Sequence, residues 1–163
     1  MDLKQDIARI VEQEKRLVFP AFDNTTAWAL GTGLRSLAES RGVAVTVEIR
    51  LVRETVFFCA MPGTGPSNAD WARRKRNSVD LLQRSSYLIG LELQRDNTTL
   101  EQKLGLSLRD HAFAGGCFPL RVAGVGMVGT VTVSGLPQRE DHNLVVEVVA
   151  QMLGVPLAEV ALA

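Results

Sequence analysis

The sequence predicts an α+β fold in which an antiparallel sheet is flanked by helices, and three observations carry that prediction. Residues 43–50 alternate apolar and polar side chains strictly, the pattern of a strand with one buried face. Residues 126–134 form a β-branched run that alternates apolar with hydroxyl side chains. Elsewhere apolar residues recur every three or four positions between charges, which is the signature of amphipathic helices.

Each element follows from local chemistry. Leu3, Ile7, Ile10 and Val11 share one face of a first helix of about four turns, and Phe19-Pro20-Ala21-Phe22 breaks it. Asp23 or Asn24 caps a second helix with Ala27, Leu30, Leu34, Leu37 and Ala38 on its stripe and an end at Gly42. Gly31 and Gly33 inside it predict the close approach of another backbone. Residues 54–61 are apolar on both faces and read as a more central strand, paired in a hairpin with 43–50. Pro62-Gly63-Thr64-Gly65-Pro66 ends that strand, and Ser67 with Asp70 has the spacing of a capping box for a third helix. Its stripe runs through Trp71, Lys75, Val79, Leu82 and Ser86. Residues 96–106 hold a short helix, and residues 117–122 and 126–134 form two further strands. Leu144, Val145, Val148, Val149 and Met152 make the buried stripe of the last helix, stopped by Gly154 and Pro156. The order is α-α-β-β-α-β-β-α, read as one domain over residues 1–163.

Composition narrows the class of function. Eighteen basic and eighteen acidic residues give zero formal net charge, so nothing draws the chain to nucleic acid or an anionic membrane, and self-association meets little repulsion. No apolar run approaches the roughly 20 residues of a membrane span. The polar, acidic N-terminus is unlike a signal peptide, and the expected location is the cytoplasm. Cys59 and Cys117 lie in separate apolar runs and read as buried free thiols.

Three segments concentrate polar chemistry. Arg73-Arg74-Lys75-Arg76 points all round a helix axis, so it makes no flat basic patch; most of these charges are solvated or paired, while Arg74 or Lys75 is placed to turn inward to a carboxylate or an anionic ligand. Gly115-Gly116, after His111 and before Phe118, permits either a turn or close ligand approach. Ser134-Gly135-Leu136-Pro137 leads into Arg139-Glu140-Asp141-His142 at a strand-to-helix junction, where a helix N-terminus offers free donors. His142 is either a proton shuttle or metal ligand beside Glu140 and Asp141, or a histidine fixed by local hydrogen bonds. With two histidines and no metal-ligand spacing, no metal site is expected. Ser134 lacks the nucleophile-elbow pattern.

Trp71 with Arg74-Lys75-Arg76-Asn77, Ser85-Ser86, Gly115-Gly116 with Phe118-Pro119, and residues 129–138 with Glu140-Asp141-His142 together resemble the haem-degrading domain family, in a branch related to GlcG-like and HbpS-like haem-binding proteins. Phe22-Asp23-Asn24 and Pro62-Gly63 extend the resemblance to nearly the whole chain. It implies a profilin-like three-layer α/β sandwich, haem as a possible cofactor with weak oxidative degradation, and a homo-oligomer. Members of this branch usually carry a His just before the Gly-Gly pair, where this chain has Ala114. The shared site is then expected at Ser134, Gly135, Pro137, Glu140, Asp141 and His142. Phe113, Phe118 and Met127 are placed to meet the faces of a haem, and Arg74 or Lys75 a propionate.

The candidate ligand-binding residues are therefore Trp71, Arg74, Lys75, Asn77, His111, Gly115, Gly116, Phe118, Ser134, Gly135, Pro137, Glu140, Asp141 and His142. A ligand-binding protein for haem or a similar anionic cofactor is the first reading. A non-catalytic oligomeric scaffold or chaperone-associated factor, with Arg74, Lys75, Glu140 and Asp141 as inter-chain ion pairs, is the second. An enzyme acting on a small organic acid is the third.

Overall fold

The computed structural model describes residues 2–162. Its sheet has the order β2-β1-β4-β3, with β1 Thr46–Leu51, β2 Glu54–Ala60, β3 Cys117–Val122 and β4 Gly126–Ser134, every neighbouring pair antiparallel. One face carries Val47, Ile49, Val131, Val133, Phe118 and Leu120 into the main apolar core, closed by α2 (Asn24–Ser40) and α6 (Gln138–Leu153). The other face carries Thr46, Glu48, Thr130, Thr132 and Ser134, all buried, beneath α3 (Pro66–Leu82). Helices on both faces of an antiparallel sheet give the α+β sandwich that the sequence predicts.

The two faces correct the strand assignments. β1 is central and buried on both faces, whereas β2 is an edge strand with Phe58 half exposed. Alternation along β1 marks two chemically different buried layers, not an inside and an outside. The polar layer is tolerable because ion pairs and hydroxyls furnish it; Arg76 of α3 meets Glu48 of β1 at 2.6 Å. The β1–β2 turn closes with Val52 and Arg53 both at positive φ.

Helix ends also differ from expectation. Asp23 caps α2, its carboxylate accepting from Thr26 N–H at 2.9 Å. Gly31 and Gly33 make room for side chains, not backbone: a Cβ at Gly31 would enter the Phe57 ring, and one at Gly33 would press on Val148. Helix α3 starts one residue earlier than Ser67, at Pro66, with Asn68 Oδ1 accepting from Gly65 N–H at 3.0 Å. It stops at Leu82 because Gln83 is left-handed, so Ser86 belongs to α4 (Ser86–Arg95), a helix the sequence reading missed. The short helix within 96–106 is α5, Leu100–Leu104. Trp71 and Met152 lie at partly exposed positions, off the buried stripes assigned to them, and Cys59 is only half buried while Cys117 is fully so.

Helix α1 (Leu3–Arg16) packs on α4 through Ile10, Tyr87, Leu88 and Leu91. The four-residue α7 (Leu157–Val160) joins it through a Gln13 Nε2–Val160 O bond of 2.7 Å. Beyond β3, Phe19 forms a parallel bridge to Val122 and covers that edge of the sheet. Among the described residues no helix is long and apolar enough to cross a membrane.

Candidate functional site

The polar layer under α3 opens at one end into a cleft of about 280 Å³, lined by Asn68, Trp71, Lys75, Ala114, Ser134, Gly135, Leu136, Gln138 and Asp141. Helix α3 contributes the first three, β4 ends at Ser134, and α6 begins at Gln138. The cleft is therefore the place where a strand hands over to a helix beneath a second helix.

Lys75 and Asp141 form its floor. Lys75 Nζ donates to Asp141 Oδ2 at 2.9 Å and to the Val133 carbonyl at 3.0 Å, and both side chains are almost wholly buried. Asp141 also accepts from Leu136 N–H at 3.0 Å and, more weakly, from Gly135 N–H at 3.4 Å. Burial pushes the Asp141 carboxyl upward, and Lys75 with these hydrogen bonds pulls the other way. The pair is neutral overall and rigidly held. Lys75 has three N–H donors, and two of them are engaged in these bonds.

Two glycines let the pair form. Gly116 has φ +128°, and a Cβ there would sit against the Val133 carbonyl oxygen, 2.8 Å from Lys75 Nζ and 3.0 Å from Asp141 Cβ. Gly115 lies against the Gln138 backbone, and its N–H donates to Gln138 Oε1 at 3.4 Å. The Gly-Gly segment thus serves close approach rather than a simple turn.

His142 lies outside the cleft. It is fully buried between Tyr87 and Phe118, with ring centroids 5.2 and 6.1 Å away. Its Nε2 is 2.8 Å from Gln13 Oε1; since Gln13 Nε2 already donates to Val160, Oε1 accepts and Nε2 carries the proton. Nδ1 has no hydrogen-bond partner among the described residues, and burial followed by the nearby Arg139 drives the imidazole down to about 3. This is a neutral structural histidine, not a shuttle or ligand. A folded value below the unfolded one means that this group's contribution is intact above pH 6.5 and is lost as pH falls towards 3. Between pH 7 and 5 the loss is about 2 kcal/mol. The imidazole NMR resonances of His142 are expected to stay constant from pH 8 to 5; a midpoint near 6.5 would overturn the assignment.

Other predicted residues have local structural roles. Arg74 donates twice to the Leu108 carbonyl and stacks on Trp71 with its guanidinium carbon 4.4 Å from the ring centroid, so it faces no carboxylate. Asn77 donates to the Asp110 carbonyl, and His111 Nδ1 lies 3.2 Å from the Ser107 carbonyl. Phe118 is buried in the main core, where it meets no ligand face, and Met127 lines a different cleft. Pro137 is the residue before α6, and Glu140 is exposed on its first turn. Lys75 and Asp141 pair within one chain, which removes them as inter-chain ion pairs. Sequence reasoning missed Asn68, Leu136 and Gln138, whose polar or apolar character carried no distinctive spacing. It also missed Gln13, a lone polar residue on the buried stripe of α1 that could have flagged a buried polar partner.

A smaller cleft of about 190 Å³ adjoins through Gln138 and contains Phe113, Gly90 and Leu93. Neither lining offers a haem iron an imidazole, thiolate or thioether. Ala114, which precedes the Gly-Gly pair, does line the main cleft. These residues fit the carboxylates and ring faces of a porphyrin; they do not fit ligation of its iron.

Comparison with known proteins identifies the family and the fold. A family model described as "Haem degrading protein HbpS-like" matches residues 22–150. A "UPF0303 protein" from Azotobacter vinelandii is 55% identical over 162 residues, covering 99% of this chain and 98% of the relative. The crystal structure of Ybr137w protein superposes with a TM-score of 0.84 at 24% identity, covering 91% of this chain and 87% of that one. The crystal structure of a PduOC:heme complex gives 0.66 at 18% identity, covering 82% and 94%. The last two likenesses are of fold.

Proposed function

This chain belongs to the HbpS-like haem-degrading protein family, and on that premise we propose that it binds a flat, carboxylate-bearing ligand, haem or a related tetrapyrrole, by its carboxylate edge and ring face. The observation that carries the reading is the buried Lys75–Asp141 pair at the floor of a cleft whose wall is Trp71. Lys75, Ser134, Asn68 and Gln138 supply donors for a carboxylate. Trp71 supplies an aromatic wall, and across Gln138 the second cleft adds Phe113. One cleft of this size is below the usual range for a drug-sized ligand, so the ring extends over Gln138 into the second. When bound, haem would bring redox chemistry of its own; the residues of this chain bind and orient it, and no oxidative step is assigned to them.

The test compares hemin with iron-free protoporphyrin, following tryptophan fluorescence and Soret absorbance. Both are expected to bind saturably, with affinities within about threefold of each other, because the iron has no ligand to gain. Trp71→Ala is expected to weaken both about tenfold. Binding of hemin alone would overturn the iron-independent reading. Non-saturable binding of both would overturn tetrapyrrole recognition altogether. An enzyme acting on a small acid has less support, because Asp141 is held by Lys75 and backbone N–H groups and so is no free base, while Lys75 keeps one N–H, enough to bind a carboxylate.

A further inference from the structure

A third cleft, of about 330 Å³, lies at the opposite end of the polar layer, between the β1–β2 turn, the start of β4 and the last turn of α3. Arg50, Val52, Arg53, Asp80, Gln83, Met127, Val128 and Gly129 line it, and it shares no residue with the Lys75 cleft. Here buried polar groups stand without partners. Arg50 Nε, Arg76 Nε and Thr130 Oγ1 are all shielded from solvent and make no hydrogen bond among the described residues. Arg50 and Thr130 face each other across the β1–β4 ladder, and Arg76 reaches the same layer from α3 to hold Glu48. Buried donors are normally satisfied, and a charged donor left unpaired costs more than a neutral one. Of these three residues only Arg50 lines the cleft, where it stands beside Arg53 as a group able to meet an acceptor.

The charge around the cleft selects its sign. Arg50, Arg53 and Arg76 face Asp80 and Glu48, and the Arg76–Glu48 pair leaves two guanidinium groups against one carboxylate. The turn directs one of them. Val52 holds φ +46°, unusual for an exposed β-branched residue, and is tied by its N–H to the Val128 carbonyl at 3.1 Å. Arg50 donates to the Arg53 carbonyl and braces the same turn. The Arg53 guanidinium makes no hydrogen bond or close ion pair among the described residues.

We propose that this cleft binds a phosphate group, as free phosphate or a phosphomonoester, through Arg50 and Arg53. Guanidinium forks match tetrahedral oxyanions bidentately, and Met127 with Val128 offers an apolar wall for an ester arm. Asp80 opposes the anion. Burial raises its carboxyl, while the Arg76, Arg50 and Arg53 charges lower it, so removing the Asp80 charge by substitution isolates its effect on the anion.

Calorimetric titration of the full chain with inorganic phosphate and with methyl phosphate, at constant ionic strength, tests the site. Saturable one-to-one binding is expected, weakened about tenfold in Arg53→Gln and tightened in Asp80→Asn. Arg53 is exposed and its side chain makes no hydrogen bond or ion pair within 4 Å among the described residues, so this variant folds even if Arg50 variants do not. Trp71→Ala leaves the phosphate affinity unchanged, which separates this site from the proposed tetrapyrrole cleft. Tighter binding of the ester assigns a phosphomonoester, and equal binding assigns the free anion. Absence of saturable heat, an Arg53→Gln variant that binds like the parent, or loss of binding in Trp71→Ala would each overturn the proposal.

Discussion

Lys75→Met is expected to destabilise the fold by about 3–5 kcal/mol at pH 7, because it leaves Asp141 buried without its cation. The loss has a pH signature. Burial already raises the Asp141 carboxyl, and without Lys75 the largest opposing influence disappears, so its folded value rises further above the unfolded one. A carboxyl so raised binds its proton in the native state first, and its contribution falls as pH rises. Urea unfolding of variant and parent should therefore show a deficit that shrinks between pH 7 and 5; the His142 contribution, common to both proteins, cancels in the difference. The double variant Lys75→Met with Asp141→Leu should recover most of the loss, since apolar replacement of both partners removes the orphaned charge. A single-variant deficit below about 1 kcal/mol would show that the pair contributes little to the fold.

Gly116→Ala is the second large effect, expected at about 2–5 kcal/mol from left-handed backbone strain together with overpacking. The added methyl would push the Val133 carbonyl away from Lys75 and separate β3 from β4 at the point where Val133 N–H bonds Gly116 O at 2.8 Å. Binding should fail along with stability, because the same displacement moves the cleft floor. Gly42→Ala provides the comparison: φ is also positive, +67°, but nothing lies within 4 Å of the added methyl, so only the backbone cost of about 1 kcal/mol remains. Equal losses in the two variants would show that crowding at Gly116 is unimportant.

Much of this arrangement was legible in the sequence, and the omissions have physical causes. Helices α1, α2 and α6, all four strands and the sheet's antiparallel sense follow from periodicity and turns. Strand centrality did not, because a polar side chain in β1 looks the same facing water as facing Arg76. Helix α4 was lost because Ser86, Tyr87 and Leu88 continue the apolar phase of α3, and only the left-handed Gln83 separates them. At the site, Lys75 stood out through its place on a stripe with Val79, and Asp141 through its junction. Their pairing across 66 residues has no local signal. His142 attracted a chemical reading because its neighbours in sequence are charged, whereas its neighbours in space are Tyr87, Phe118 and Gln13.

The bridge from Phe19 to Val122 closes the β3 side of the sheet, while among the described residues no strand pairs with the outer side of β2. A ladder with one open side can be lengthened once. If two molecules join there, each uses its single free edge on the other, and the joined sheet of eight strands ends at both sides in a Phe19 segment. Growth by this route would terminate at a pair, because neither outer side of the joined sheet would offer a second free β2 edge.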